Sequence, residues 1–274
     1  MLIQKIQMNP VVSVILPTYN WKSERLSESI DSVLNQTFKD FELIIINDAS
    51  TNDIEKTILE YVKKDKRIVY LKNEKNLQLT RTLNKWIEHA KWKYIARIDD
   101  DDIRMGKDKL EKQIKYMESN LDCWLCWAGE IINIDESWKT INKMQTRLSD
   151  DEIRNNILQA NQFAHSSIMV RKSILGEEWV YDPKFNKAED YELWCRIGIR
   201  CKFANLQSVW IKYRINSNWI TRKNFNYQKK LTFKIFLKYR KKYPNFCKAL
   251  ILRVWDFILP EKLTKYILNV AKKS

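Results

Sequence analysis

The first hundred residues alternate short, continuously apolar runs with longer segments in which apolar residues recur every three or four positions. A continuously apolar run predicts a strand buried on both faces of a sheet, and the longer spacing predicts an amphipathic helix. The predicted strands are 11–16, 42–46, 68–71 and 94–98, and the predicted helices are 23–35, 53–64 and 80–90. This alternation favours an α/β fold with a mostly parallel sheet flanked by helices.

Polar residues follow three of the predicted strands. They are residues 17–20, Asp48 and residues 99–102. Ligands of parallel sheets bind beyond the carboxyl ends of the strands, so we expect these three segments to line one crevice. The second half is less regular, with predicted strands at 124–132 and 167–170, a predicted helix at 188–199, and a helical, basic and aromatic pattern after Tyr213.

Asp99 to Asp102 form a run of four consecutive carboxylates. Their mutual repulsion requires a compensating charge, and Mg²⁺ or Mn²⁺ takes carboxylate ligands together with the phosphates of a substrate. The alternative is a helix N-terminus, where the helix dipole favours acids. A divalent cation with a phosphate-bearing ligand is the preferred hypothesis for this run.

Composition narrows the ways in which the chain could bind a nucleotide. Its four glycines are too far apart for a GxGxxG or Walker loop, and its two histidines exclude a multi-histidine metal centre. A cation would therefore have to hold the phosphates. Five cysteines scattered along 274 residues, with no secretory leader before the first strand, are typical of the reducing cytosol.

Most of the net charge of +15 lies near the C-terminal end. Residues 221–274 carry fifteen Lys and Arg against two acids, and aromatic residues and leucines are interleaved with these cations. This pattern favours a helical segment on an anionic membrane surface. Two alternatives are helices that cover the core of the first domain and a nucleic-acid site. The last is the least favoured, and we expect no nucleic-acid partner.

Five segments, in this order, resemble the family 2 glycosyltransferases, which are inverting enzymes with the GT-A fold. The segments are 12–20, 43–53, 76–84, 94–103 and 187–194. The resemblance spans roughly residues 10–216 and implies a glycosyltransferase domain at 1–220. Within it, a donor half covers about 10–103 and an acceptor half about 104–220. Residues 221–274 are then a basic, aromatic helical extension.

The resemblance also implies roles for individual residues on the donor side. Asp101 would be the metal ligand of a DxD motif, and Asp48 would contact uracil. The implied contacts to the nucleotide-sugar are Pro17, Thr18, Tyr19, Asp48, Arg81, Asp99 and Asp100. Two ordinary explanations stay open, namely Asp48 as a turn residue and Arg81 as part of a solvated helix face.

On the acceptor side, the resemblance makes Asp190 the catalytic base, because a sugar hydroxyl needs a positioned carboxylate to take its proton. The alternative for Asp190 is an acid favoured by the dipole at a helix N-terminus. His165, Glu189 and Asn216 are candidate acceptor or phosphate contacts, and His165 is equally explained as a buried histidine. Asn216 stands where relatives often carry a histidine, which leaves a metal ligand from that loop in doubt.

The function implied by the resemblance is transfer of a hexosyl or N-acetylhexosaminyl group from a nucleotide-sugar, with UDP as the expected nucleotide. The acceptor would be a hydroxyl of a glycan or lipid-linked molecule in the biosynthesis of capsule or lipopolysaccharide. Mn²⁺ or Mg²⁺ would be the cofactor, and the enzyme would be cytoplasmic and peripheral on the inner face of the membrane. A sugar-nucleotidyltransferase and a non-catalytic polyanion-binding module are the alternatives.

Overall fold

The computed structural model describes residues 11–87, 89–90, 93–100, 103–135, 137–174, 181–214 and 225–258. The strands are β1 (Val12–Thr18), β2 (Phe41–Asn47), β3 (Ile68–Lys72), β4 (Tyr94–Arg97), β5 (Ile103–Met105), β6 (Cys123–Ile134), β7 (Thr140–Gln145), β8 (Met169–Arg171) and β9 (Lys202–Arg214). The α-helices are α1 (Ser23–Leu34), α2 (Ile54–Lys64), α3 (Gln78–Ile87), α4 (Lys109–Ser119), α5 (Asp150–Asn156), α6 (Glu189–Ile197), α7 (Phe225–Tyr239) and α8 (Phe246–Ile258).

These strands form one mixed sheet in the order β3-β2-β1-β4-β8-β6-β9-β5, and β7 pairs with β6. β1 to β4 are parallel to one another, with Val14 opposite both Leu43 and Ala96. β6 and β9 are also parallel, whereas β5, β7 and β8 run antiparallel to their neighbours. The predicted α/β fold is confirmed, and its parallel strands bring the ends of β1, β2 and β4 to one edge.

Three strands of the second half, β5, β7 and β9, are not predicted by the hydrophobic pattern. All side chains of β7 are exposed except that of Met144, so β7 has no apolar period and forms through its pairing with β6. β9 mixes buried apolar residues with exposed polar ones, and its register against β6 shifts between Ala128 and Glu130. A bulge of this kind breaks the two-residue period on which sequence-based strand assignment depends.

The side chains of the sheet pack into two apolar clusters. Val14 and Leu16 belong to one cluster and Ile15 to the other, as the alternation of a strand requires. The second cluster centres on Trp127, whose ring stacks on Phe163 with centroids 3.6 Å apart. α7 and α8 contribute to this same cluster with Leu231, Ile235, Phe236, Tyr239 and Ala249. The described part of the basic extension therefore covers the core of the sheet domain.

α7 is also held to α6 by polar contacts. The Glu192 carboxylate is fully buried and accepts hydrogen bonds from Tyr239 Oη at 2.6 Å and Lys238 Nζ at 2.7 Å. Beyond α7, the Tyr243 hydroxyl donates to the Cys195 carbonyl at 2.9 Å. Among the helices that the structure describes, none has both the length and the hydropathy to cross a bilayer.

Candidate active site

Asp48 lies just after β2 and is held by donors from the following segment. It is 4% exposed, and its Oδ1 accepts from Asn73 Nδ2 at 2.7 Å and from the Leu77 backbone N–H at 2.9 Å. Oδ2 makes no hydrogen bond within the described residues, so one carboxylate oxygen remains for a ligand. The turn after β2 is stabilised instead by Asn47, whose Oδ1 accepts from Ser50 N at 2.8 Å.

The loop after β1 lies beside this turn. Pro17 and Thr18 close β1 opposite Ile46 and Asn47, and Thr18 Oγ1 is buried with no hydrogen-bond partner among the described residues. Tyr19 is 45% exposed at the edge of the crevice. The two loops are tied together because Asn20 Oδ1 accepts from Thr51 N at 2.7 Å.

Backbone strain is concentrated around this crevice. Six non-glycine residues of the described chain have a positive φ, and four of them lie within three positions of a predicted site residue. These four are Asn20 (52°), Ala49 (59°), Gln78 (64°) and Lys187 (79°). Asparagine tolerates this region, but the other three cost about 1–3 kcal/mol each, and such strain clusters at functional sites.

A buried arginine sits at the end of β4. Arg97 is 3% exposed and forms an ion pair with Asp99 through Nη2, while Nε and Nη1 have no hydrogen-bond partner among the described residues. Burial by itself would lower the pKa of Arg97, but the negative charges of Asp99, Glu189 and Asp190 outweigh it and raise that pKa. The guanidinium therefore lies within electrostatic reach of acids from both halves of the domain.

Arg97 is absent from the residues that the sequence predicts for this site. A lone arginine inside the apolar strand 94–98 is the signal that could have found it, since buried charges are nearly always paired. The ion-pair partner of Arg97, Asp99, is close in sequence, but the charges of Glu189 and Asp190 that also act on it come from α6, about ninety positions along the chain, and sequence spacing does not reveal that proximity.

Glu189 and Asp190 open α6, as predicted. Glu189 is 5% exposed, and its Oε2 accepts from the Lys187 backbone N–H at 2.6 Å. Asp190 is half-buried, and its Oδ2 accepts from Asn161 Nδ2 at 2.8 Å. Burial raises the pKa of both carboxyls, and the neighbouring charge of Asp190 adds to the shift of Glu189. Glu189 thus orders the turn just before α6 through the Lys187 N–H, whereas Asp190 is oriented by Asn161, which comes from another segment of the chain.

His165 lies beside α6, the helix that carries these acids. Its Nε2 is 2.7 Å from the Tyr181 hydroxyl, and its ring contacts Trp194 edge-on with centroids 5.7 Å apart. Burial, and then the charge of Arg97, lowers the pKa of His165 well below its ordinary value, so the imidazole is neutral near pH 7. Tyr181 is anchored in turn by reciprocal hydrogen bonds between its backbone and the Asn84 side chain.

A cleft of about 190 Å³ connects the donor-side loops to the turn before α6. It is lined by Asn76, Leu77, Gln78, Thr80, Arg81, Pro183 and Asn186. Asn186 joins its two walls, because its Nδ2 donates to Gln78 Oε1 at 2.8 Å and its Oδ1 accepts from Thr80 Oγ1 at 3.1 Å. Arg81 is exposed at this cleft. A larger open groove of about 670 Å³, around Tyr116 and Asn205, shares none of the predicted site residues.

A family model described as "Glycosyl transferase family 2" matches residues 13–179. This chain belongs to the family 2 glycosyltransferases. Glycosyltransferase MJ1057 of Methanocaldococcus jannaschii is 35% identical to it over 281 residues, covering 97% of this chain and 95% of its own. The O-antigen biosynthesis glycosyltransferase WbnJ of Escherichia coli is 33% identical over 253 residues, covering 88% of this chain and 97% of its own.

Solved structures of glycosyltransferases share the fold. S. aureus TarS 1-349 in complex with UDP-GlcNAc superposes with a TM-score of 0.63 at 17% identity, over 90% of this chain and 73% of its own. The mannosyltransferase PcManGT of Pyrobaculum calidifontis, in complex with GDP-Man and Mn²⁺, gives a TM-score of 0.62 at 14% identity, over 97% of this chain and 80% of its own. The predicted GT-A fold of this glycosyltransferase is confirmed.

Two of the predicted site residues of this glycosyltransferase, Asp101 and Asn216, lie outside the described residues, as does Asp102. Within the described ranges, no group of three or more His, Cys, Asp or Glu side chains is placed to hold a metal. The carboxylates that are described at the end of β4, Asp99 and Asp100, are of the hard oxygen type that Mg²⁺ and Mn²⁺ accept. The donor set at this strand end therefore fits a divalent cation.

Proposed function

We propose that this glycosyltransferase inverts the anomeric centre while it moves a sugar from a nucleotide-sugar, with UDP as the nucleotide, to a hydroxyl of a glycan or lipid-linked acceptor. The observation that carries the proposal is the position of Arg97. Its buried charge interacts with Asp99 at the end of β4 and with Glu189 and Asp190 at the start of α6. Acids of the donor side and of the acceptor side thus act electrostatically on one buried guanidinium, which pairs directly with Asp99.

Asp190 is the base in this proposal. The acceptor hydroxyl gives its proton to the carboxylate as its oxygen attacks the anomeric carbon, and the bond from that carbon to the diphosphate oxygen breaks on the opposite side. A single displacement of this kind inverts the configuration. Burial raises the pKa of Asp190 and so makes it a stronger base than an exposed aspartate. His165 is less suited, because its Nε2 already contacts the Tyr181 hydroxyl.

Asp48 is the contact for the nucleotide base. Uracil presents an N–H donor at N3, and Asp48 has one carboxylate oxygen without a partner in the described chain. Thr18 Oγ1 and Tyr19 border the same space, and Arg81 reaches the adjoining cleft as a diphosphate contact. The name of WbnJ and the UDP-GlcNAc bound to TarS support a UDP-sugar donor and a cell-surface glycan product.

A divalent cation would be held by Asp101, with Asp99 and Asp100 close to its waters or to the ribose. When bound, it neutralises charge that develops on the diphosphate leaving group. The Mn²⁺ of PcManGT supports this assignment. Arg97 has a separate role, since its ion pair orients Asp99.

The test is nucleotide release from a panel of UDP- and GDP-sugars, with and without Mn²⁺, for the wild type and two aspartate variants. Asp190→Asn keeps the size of the side chain but removes the proton acceptor, so turnover should fall by about 10²–10⁴-fold. Asp151→Asn is the matched control, because Asp151 is likewise the second residue of an acidic helix but is exposed. Near-normal turnover by Asp190→Asn would remove the base assignment.

A further inference from the structure

Exposed apolar side chains are concentrated in the two C-terminal helices. Twelve large apolar side chains of the described chain are exposed, and half of them lie between residues 227 and 255. These six are Tyr227, Leu237, Phe246, Ile251, Val254 and Trp255, with exposures of 47%, 40%, 36%, 58%, 43% and 49%. A folded surface normally spreads such residues singly, so a concentration of this kind indicates an interaction site.

Three of these side chains lie on one face of α8. Ile251, Val254 and Trp255 are spaced by three and four positions, which places them together on a helix. The opposite face is buried, because Ala249 is fully covered and Arg253 is 6% exposed. Arg253 Nη2 contacts Tyr191 Oη at 3.1 Å and the Leu158 carbonyl at 3.4 Å. The apolar face of α8 therefore points away from the domain.

Lysines lie next to this apolar face in the sequence: Lys248 is one helical turn before Ile251, and Lys241 and Lys242 belong to the connection between α7 and α8. Lys241, Lys242 and Lys248 are exposed and form no ion pair within the described residues. Residues 221–274 contain only two acids, so few partners are available to them in the sequence. An anionic lipid bilayer has a hydrocarbon interior and negatively charged head groups. An outward apolar face with exposed lysines nearby matches both of these features.

We propose that the outward face of α8 docks on the surface of an anionic phospholipid bilayer. Ile251, Val254 and Trp255 enter the interfacial region, while the lysines contact lipid phosphates. A second copy of the chain is a poorer occupant, because residues 225–258 carry nine Lys and Arg against one acid, so two copies of these helices would repel each other. Nucleic acid would use the lysines but leave the aliphatic side chains exposed to water.

Docking by α8 would also place the catalytic helix close to the bilayer. Tyr191, which Arg253 contacts, directly follows Asp190 in α6. Only this last consequence rests on the proposed function, since the docking itself follows from exposure and charge.

The experiment is vesicle flotation of the full-length protein. We expect binding to vesicles of phosphatidylcholine with 30% phosphatidylserine, at least tenfold weaker binding to pure phosphatidylcholine, and release in 1 M salt, where charges are screened beyond about 3 Å. The double variant Ile251→Gln/Trp255→Gln should bind at least tenfold more weakly. Leu121→Gln/Ile141→Gln is the matched control, because these side chains are 70% and 51% exposed but lie elsewhere.

Three outcomes would overturn the proposal. Binding that is equal for both double variants would exclude the α8 face, and binding that is lost only on removal of residues 259–274 would assign it to that segment instead. A wild type that ignores vesicles but changes from dimer to monomer in the Ile251→Gln/Trp255→Gln variant would make the face an interface between copies. Unchanged melting temperatures and unchanged nucleotide release in both double variants would show that lost binding is not lost folding.

Discussion

Replacement of Glu192 by alanine is expected to loosen the contact between α7 and the helix that carries Asp190. The Glu192 carboxylate has no solvent exposure and is surrounded by donors. Tyr239 Oη lies 2.6 Å from it, Lys238 Nζ 2.7 Å and Arg196 Nη2 3.0 Å. Because two of these donors belong to α7, the variant removes the main polar link between α6 and α7.

The size of the effect follows from what each donor loses. The Tyr239 hydroxyl belongs to a residue that is 5% exposed, so leaving it unpaired costs about 1–3 kcal/mol. Arg196 and Lys238 are 25% and 44% exposed and can be hydrated, so each ion pair adds only about 0.2–1 kcal/mol. We expect a loss of roughly 2–4 kcal/mol in the free energy of unfolding and a fall of roughly 4–16 °C in the melting temperature.

The pH dependence supplies an independent check. Burial alone would raise the pKa of Glu192, but hydrogen bonds from Arg196, Lys238 and Tyr239 outweigh it and leave the pKa below its ordinary value. A carboxyl with a lowered folded pKa contributes stability above its unfolded pKa, about 4.3, and loses it as the pH falls through the folded value. The difference between wild type and Glu192→Ala should therefore persist at pH 7 and shrink below about pH 4.

The assay is thermal unfolding of the full chain at pH 7 and at acid pH. Glu60→Ala is the matched control, since Glu60 is an exposed helical glutamate of α2, and its effect should stay within about 0.5 kcal/mol. A double-mutant cycle with Tyr239→Phe should give a coupling energy of about 0.5–3 kcal/mol. The reasoning is refuted if Glu192→Ala and Glu60→Ala have the same melting temperature at pH 7. It is also refuted if the stability that Glu192→Ala loses relative to the wild type is the same at acid pH as at pH 7.

Two further predictions concern the base and the sheet. Asn161→Ala removes a hydrogen-bond donor to Asp190 and so raises the pKa of that carboxyl further. Because the base acts when ionised, turnover should begin to fall on the acid side at a higher pH than in the wild type. A pH profile of turnover that does not move would contradict the role of this contact. Gly129→Ala would place a Cβ 2.6 Å from the Leu206 carbonyl oxygen, so it should cost about 1–3 kcal/mol in thermal unfolding, whereas Gly106→Ala, with nearest contacts of 3.3 Å, should cost less.

The sequence predicts the first half of the fold well, because its strands are parallel and buried on both faces. All four predicted strands of this half and its three helices are present, with ends that differ by at most three residues. The same pattern predicts that Asp48 and the aspartate run end at one edge of the sheet. β7 and β9 are missed, since exposed polar residues and a register shift remove the two-residue period.

The roles within the site are less readable from the sequence. An aspartate before a helix is explained equally well by a dipole or by a catalytic base, and an aspartate after a strand equally well by a turn or by a ligand contact. The structure distinguishes the residues locally. Glu189 orders its own turn while Asp190 is held by Asn161. Asn47 stabilises the turn after β2, while one oxygen of Asp48 has no hydrogen-bond partner among the residues that the structure describes.

The sequence by itself determined the α/β class, the family and the positions of the acids, because hydrophobic period and local motifs are properties of neighbouring residues. Only the tertiary structure decided that Arg97 stands among acids of both halves, and that α7 and α8 cover the core while one face of α8 points outward. These features depend on contacts between segments far apart in the chain. The burial of a side chain and its distance from other charges are set only when such segments pack together, so no local sequence pattern encodes them.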